Sequence, residues 1–100
     1  MTELKFRNLC IDKVVKYFNS KRDKSDSEEL VHDDVYVVWQ VKVLQNFKAL
    51  LSTKMSDGMY YELTYNGDED ELYLDVYKKW TNVVYKKPVI YYGRQVNVIQ

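Results

Sequence analysis

Between Val35 and Asn46 the sequence reads VYVVWQVKVLQN, and this run constrains the fold more than any other. Five of its first nine residues are valine, each of which would lose side-chain freedom against the preceding turn of a helix. Successive side chains of an extended strand alternate between faces. The run is therefore predicted to be a strand, with Val35, Val37, Trp39, Val41 and Val43 on one face. Tyr36, Val38, Gln40, Lys42 and Leu44 fall on the other.

The rest of the chain is organised around that strand. Thr2 can cap a helix over residues 3–19, in which Phe6, Leu9, Cys10, Val14, Tyr17 and Phe18 recur at the spacing of one helical face. Residues 20–29, SKRDKSDSEE, contain no apolar side chain and read, with the segment to residue 32, as a solvated mobile loop. After the first strand, Gln45-Asn46-Phe47 is expected to turn the chain into a second strand over 48–55. Ser56-Asp57-Gly58 and Asn66-Gly67 are the next turn signals. Between them MYYELTY alternates as a third strand, with Met59, Tyr61, Leu63 and Tyr65 on one side. A fourth follows with Leu72, Leu74 and Val76 inward, ending near Trp80, although Leu72, Val76, Trp80 and Val84 also fit a helical spacing.

The expected architecture is one α+β domain spanning residues 1–100. An N-terminal helix packs on a mainly antiparallel β-meander of four or more strands over 33–80, and 81–100 form an extension with further strands. Its expected core is Phe6, Leu9, Val14, Phe18, Val37, Trp39, Val41, Leu51, Leu63, Leu74 and Val76. The segment Lys86–Gln100 carries Val89, Ile90, Tyr91, Tyr92, Val96, Val98 and Ile99, and such β-forming supply calls for a pairing partner. It either joins its own sheet or makes a homodimer through residues 88–100, the reading favoured here.

Several function classes are excluded or weakened by composition. Fifteen Lys+Arg balance fifteen Asp+Glu, so no global field recruits nucleic acid. The single Cys10 cannot close an intramolecular disulfide or supply a two-cysteine zinc motif, and it reads as a small buried hydrophobe. No apolar run approaches the roughly 20 residues that span a bilayer, and the first ten residues lack the apolar core of a secretory leader. The expected setting is cytoplasmic and reducing, with no membrane partner.

Nothing in the chain assembles a catalytic constellation. His32 is the only histidine, and no strained nucleophile turn, phosphate loop or dinucleotide fingerprint accompanies it. His32, Asp33 and Asp34 stand too close together along one strand to surround a metal. The acidic loop Asp68-Glu69-Asp70-Glu71 lacks the spacing of a calcium site. No catalytic residue, metal or cofactor is assigned. What stands out is tyrosine, ten residues in all. Tyr60, Tyr73 and Tyr77 alternate away from the core, Tyr36 can join them, and Lys42, Lys48, Lys54 and Lys78 are expected to interleave with them. Tyrosine offers large contact area at small entropic cost, which suits a binding surface.

The words YVVWQ, LQN-F-KALLST, DGMYYE, TYNGD and YLDVYKKW, in that order, resemble a family of small proteins of Gram-positive phages known only as a domain of unknown function. The resemblance covers roughly Leu4 to Val84, and the tail from Lys86 extends past it. It supplies no catalytic residues. It implies a phage or prophage accessory protein acting in the bacterial cytoplasm. The function expected is non-enzymatic: binding and inhibiting a host or defence-system protein. One alternative is a nucleotide or small-molecule binding module formed between subunits, and another is a single-stranded nucleic-acid binder on the sheet face, which the balanced charge disfavours.

Overall fold

The computed structural model describes residues 1–23, Ser25 and 28–86. Helix α1 spans Glu3–Lys21 and is followed by a short 3-10 turn at His32–Asp34. Four strands then run in sequence, β1 over Val35–Val43, β2 over Asn46–Thr53, β3 over Met59–Asn66 and β4 over Glu71–Lys78. Each strand pairs antiparallel with the next, and the sheet order is β1-β2-β3-β4. One helix packed on a four-stranded antiparallel meander is the α+β arrangement that the periodicities imply.

The helix begins where Thr2 provides a cap, its hydroxyl accepting from the backbone N–H of Lys5 at 3.1 Å. That bond satisfies one of the amides a first helical turn leaves unpaired. Phe6, Cys10, Ile11 and Val14 are the buried side chains of its inner face. They meet Phe47, Ala49 and Leu51 of β2 and Tyr61 and Leu63 of β3 in one continuous core. The Phe6 and Phe47 rings stack at 5.1 Å, and the Tyr17 ring meets that of Tyr61 edge-on at 6.2 Å. Phe18, Val37, Leu74 and Val76 pack partly buried against the same core, while Leu9 is half-buried.

The polar segment after the helix is tied down at its far end. The Asn19 amide donates to the Leu30 carbonyl at 2.9 Å and accepts from the Leu30 N–H at 2.8 Å. This two-bond clamp delivers Leu30 into the core, where it is fully buried. Asp34 then accepts from the backbone N–H of Val31 at 2.9 Å and closes the 3-10 turn. That bond, with help from Lys54, holds the Asp34 carboxyl below the usual carboxylate range.

Strand β1 departs from simple alternation in its middle. Val37 pairs with Leu51 and Trp39 pairs with Leu50, so Val38 is an extra residue, a β-bulge. Before it, Val35 and Val37 face the helix as expected. Beyond it every side chain changes face. Gln40 and Lys42 turn to the helix side, opposite Ala49 and Phe47, and Trp39 and Val41 turn away from it. Trp39 is 41 % exposed and Val41 46 %, so neither belongs to the core assigned to them by alternation. Gln40 instead donates to the Glu3 carbonyl at 2.9 Å, linking β1 to the first turn of α1.

The turns differ from expectation in two places. The β1–β2 hairpin turns at Leu44-Gln45, with Val43 opposite Asn46, and not at Gln45-Asn46-Phe47. Leu44 takes a φ of 56°, a left-handed conformation with no glycine to announce it. Phe47 is therefore a strand residue and fully part of the core. The Asn66-Gly67 signal marks the β3–β4 turn correctly, yet the positive φ there, 52°, belongs to Asp70. Gly67 is required for a different reason: a Cβ at that position would lie 2.2 Å from the Gln45 carbonyl oxygen. The tips of the two hairpins touch there, with the Gly67 N–H donating to Asn46 Oδ1 at 2.9 Å and the Gln45 amide donating to Asp68.

Strand β4 ends at Lys78, and residues 79–86 have no regular structure, so neither the helical reading of 72–84 nor a strand reaching Trp80 applies. The further strands expected at 88–100, and a homodimer built on them, lie outside the described residues.

Candidate functional site

The strand register sorts the sheet into two faces. On the helix side lie Val35, Val37, Gln40 and Lys42 of β1, Phe47, Ala49, Leu51 and Thr53 of β2, Tyr61, Leu63 and Tyr65 of β3, and Leu72, Leu74 and Val76 of β4. On the other side Tyr36, Trp39, Val41 and Val43 sit beside Lys48, Leu50 and Ser52. These continue into Tyr60, Glu62 and Thr64, and then Tyr73, Asp75 and Tyr77. The helix packs against β1 and β2 from the first side, and no described element covers the second.

This open face has two halves. Its β1–β2 half is apolar, with Tyr36, Trp39, Val41 and Val43 all exposed. The β3–β4 half interleaves tyrosines with carboxylates: Tyr60 lies opposite Tyr77, Glu62 opposite Asp75, and Thr64 opposite Tyr73. The Tyr73 hydroxyl donates to Glu71 at 2.8 Å, which raises its pKa. Tyr77 is raised as well, chiefly by the neighbouring charge of Glu62. At one end of the face a recess of about 360 Å³ opens between Tyr36 and Tyr60, with Ser52 and Lys79 also lining it. Ser52 is buried and donates to the Met59 carbonyl at 3.0 Å.

Of the residues singled out by alternation and composition, Tyr36, Lys48, Tyr60, Tyr73 and Tyr77 share this face. The other lysines do not join them. Lys42 is carried to the helix side by the bulge, where its ammonium lies 5.7 Å from the centre of the Phe47 ring. Lys78, one residue beyond Tyr77 and opposite Met59, alternates to the same side. Lys54 follows the end of β2 and bridges Glu28 at 3.2 Å and Asp34 at 3.3 Å. Of the four lysines expected there only Lys48 remains on the face, and it pairs with Glu62 at 3.7 Å. Trp39, Val41 and Val43 are the face residues that alternation put on the opposite side; no residue type in Val37-Val38-Trp39 advertises the bulge that places them there.

The remaining candidates have ordinary structural roles. Cys10 is fully buried in the core, and burial pushes its thiol pKa up to about 12. His32 is exposed in the 3-10 turn. In the acidic loop, Asp68 accepts from Gln45 and Asp70 accepts from the Tyr65 hydroxyl at 2.6 Å. No three His, Cys, Asp or Glu side chains gather as a metal-binding group among the described residues. A cleft of about 610 Å³ lies between the C-terminal end of α1 and the β2–β3 turn, lined in part by Tyr17, Lys21, Met55, Asp57 and Tyr61. It gathers none of the sheet-face tyrosines. No helix among the described residues is long and apolar enough to cross a membrane.

Residues 7–87 match a family described as a family of unknown function, DUF6275. The chain belongs to that family. The match takes in most of α1 and all four strands, so the helix-on-meander fold and its open face lie within the family's span. No curated protein and no solved structure matches the chain.

Proposed function

We propose that this DUF6275 chain is a non-enzymatic phage or prophage accessory protein of the bacterial cytoplasm, which binds and inhibits a host or defence-system protein through the open face of its sheet. The observation that carries the reading is the group of Tyr36, Trp39, Val41 and Val43, exposed side by side on a sheet face that no described element covers. Contiguous apolar surface of this kind marks interaction sites, and aromatic anchors supply most of the energy at protein interfaces. The partner's complementary surface is an apolar ridge with basic side chains along one flank, to meet Glu62, Asp75 and Glu71 on the β3–β4 half. The recess between Tyr36 and Tyr60 is sized for a single anchoring side chain.

The same geometry weighs against the two other readings. Single-strand binding needs cations that follow the phosphates, whereas this face carries Glu62 and Asp75 beside Lys48, which is paired with Glu62, and Lys79 at one end. A nucleotide held by tyrosines and lysines together is disfavoured because Lys42 and Lys78 face away from Tyr73 and Tyr77.

The test is a pull-down from host lysate with the intact protein and with the double variant Y36D/W39D, both checked for native circular dichroism. The expected result is a host protein retained by the intact chain, lost with the variant, and inhibited when the two purified proteins are mixed. Retention undiminished by Y36D/W39D would remove the open face from the account.

A further inference from the structure

Strand β4 is an edge of the sheet among the described residues: β3 pairs with its inner side from Asn66↔Glu71 to Met59↔Lys78, and no described residue pairs with its outer side. The opposite edge, β1, is broken by the bulge at Val38, a device that blunts edges against further pairing. β4 carries no such protection. Its sequence ELYLDVYK holds neither proline nor glycine, and its ladder with β3 runs without a register shift.

The direction of its free backbone groups follows from one bond. The Lys79 N–H donates to the Gly58 carbonyl at 2.7 Å, so the backbone of residue 79 faces β3. Alternation along an antiparallel ladder then turns the groups of 71, 73, 75 and 77 inward and those of Leu72, Leu74, Val76 and Lys78 outward. Each of these four residues presents an N–H and a C=O at the edge with no described strand to receive them.

We propose that a second copy of this chain occupies this edge, pairing antiparallel along β4 about a two-fold axis through Leu74. A two-fold perpendicular to the sheet keeps helix side with helix side, so it must pass through a residue and not between two. Only Leu74 and Asp75 lie close enough to the middle of the strand to use nearly its whole length. An axis at Asp75 sets that carboxylate against its own copy, which like-charge pairing disfavours. An axis at Leu74 sets Leu74 against Leu74 and Leu72 against Val76, all four with outward-facing backbone groups. On the open face it sets Tyr73 against Asp75 and Glu71 against Tyr77, so that no carboxylate faces another carboxylate. At the ends Lys78 lies nearest Asp70, in the turn just before the strand, an opposite charge. Each of these contacts occurs twice except Leu74 against Leu74, which lies on the axis. The two four-stranded sheets become one, and their open faces join into a single surface carrying Tyr73 and Tyr77 from both copies.

This self-association does not rest on the partner-binding reading above, and it is measured without any host protein. Sedimentation equilibrium of the full chain across the micromolar range is expected to give twice the chain mass. Y73D sets a carboxylate against Asp75 of the second copy at both symmetric contacts and is expected to weaken the dimer about tenfold or more. Y73D/D75K turns both contacts into opposite-charge pairs and is expected to restore it. A monomeric full chain at these concentrations overturns the proposal. So does a dimer that Y73D leaves intact, which assigns the contact to another surface, or a Y73D dimer that D75K fails to restore while both variants keep the native far-ultraviolet spectrum.

Discussion

On the covered face of the sheet, Phe47, Ala49, Leu51, Tyr61 and Leu63 meet Phe6, Cys10 and Val14 and are all but removed from solvent. On the opposite face Tyr36, Trp39, Val41, Tyr73 and Tyr77 each keep two-fifths or more of their surface exposed. Both sets are apolar or aromatic residues on strands, and residue type alone does not separate them. What separates them is the helix, which can shield only one side, and the bulge at Val38, which moves Trp39 and Val41 from the side it shields to the side it does not. The buried core and the surface proposed for recognition thereby lie on two faces of one four-stranded sheet.

The contrast can be broken by unequal truncation. Phe47→Ala removes a fully buried ring that stacks on Phe6 and leaves a cavity between helix and sheet. It is expected to lower the unfolding free energy by about 3–5 kcal/mol in urea titration. Trp39→Ala removes a larger side chain from the open face, where much of it is already hydrated. Its expected cost is about 1–2 kcal/mol. Equal losses in the two variants, or a larger loss at Trp39, would mean that the faces of β1 are inverted.

How far the sequence reveals this division depends on the element. In α1 the spacing of Phe6, Cys10 and Val14 names the buried face directly, and Thr2 marks its start. In β3 and β4 strict alternation places Tyr61, Leu63, Leu72, Leu74 and Val76 on the correct side, because nothing interrupts the pleat. In β1 the same rule works through Val37 and fails from Trp39 onward. A bulge inserts one residue into the count, and three consecutive β-formers at 37–39 fit either register. The hairpin turn adds to the difficulty, since Leu44 adopts its left-handed conformation without the glycine or asparagine that usually signals one. Phe47 was hidden as a consequence. The tyrosines of the candidate face were legible from alternation. The lysines were not, because Lys42 lies beyond the bulge and Lys54 lies past the end of its strand, held by Glu28 and Asp34.

The central claim is that the bulge at Val38 turns Trp39 outward and Gln40 toward the helix. Nuclear Overhauser contacts of the Trp39 indole and the Gln40 side-chain amide test it most directly. The register predicts indole contacts to Leu50, its cross-strand partner, and Gln40 amide contacts to the first turn of α1, where it donates to Glu3. Indole contacts to Phe6 or Cys10, with the Gln40 amide free of the helix, would contradict it.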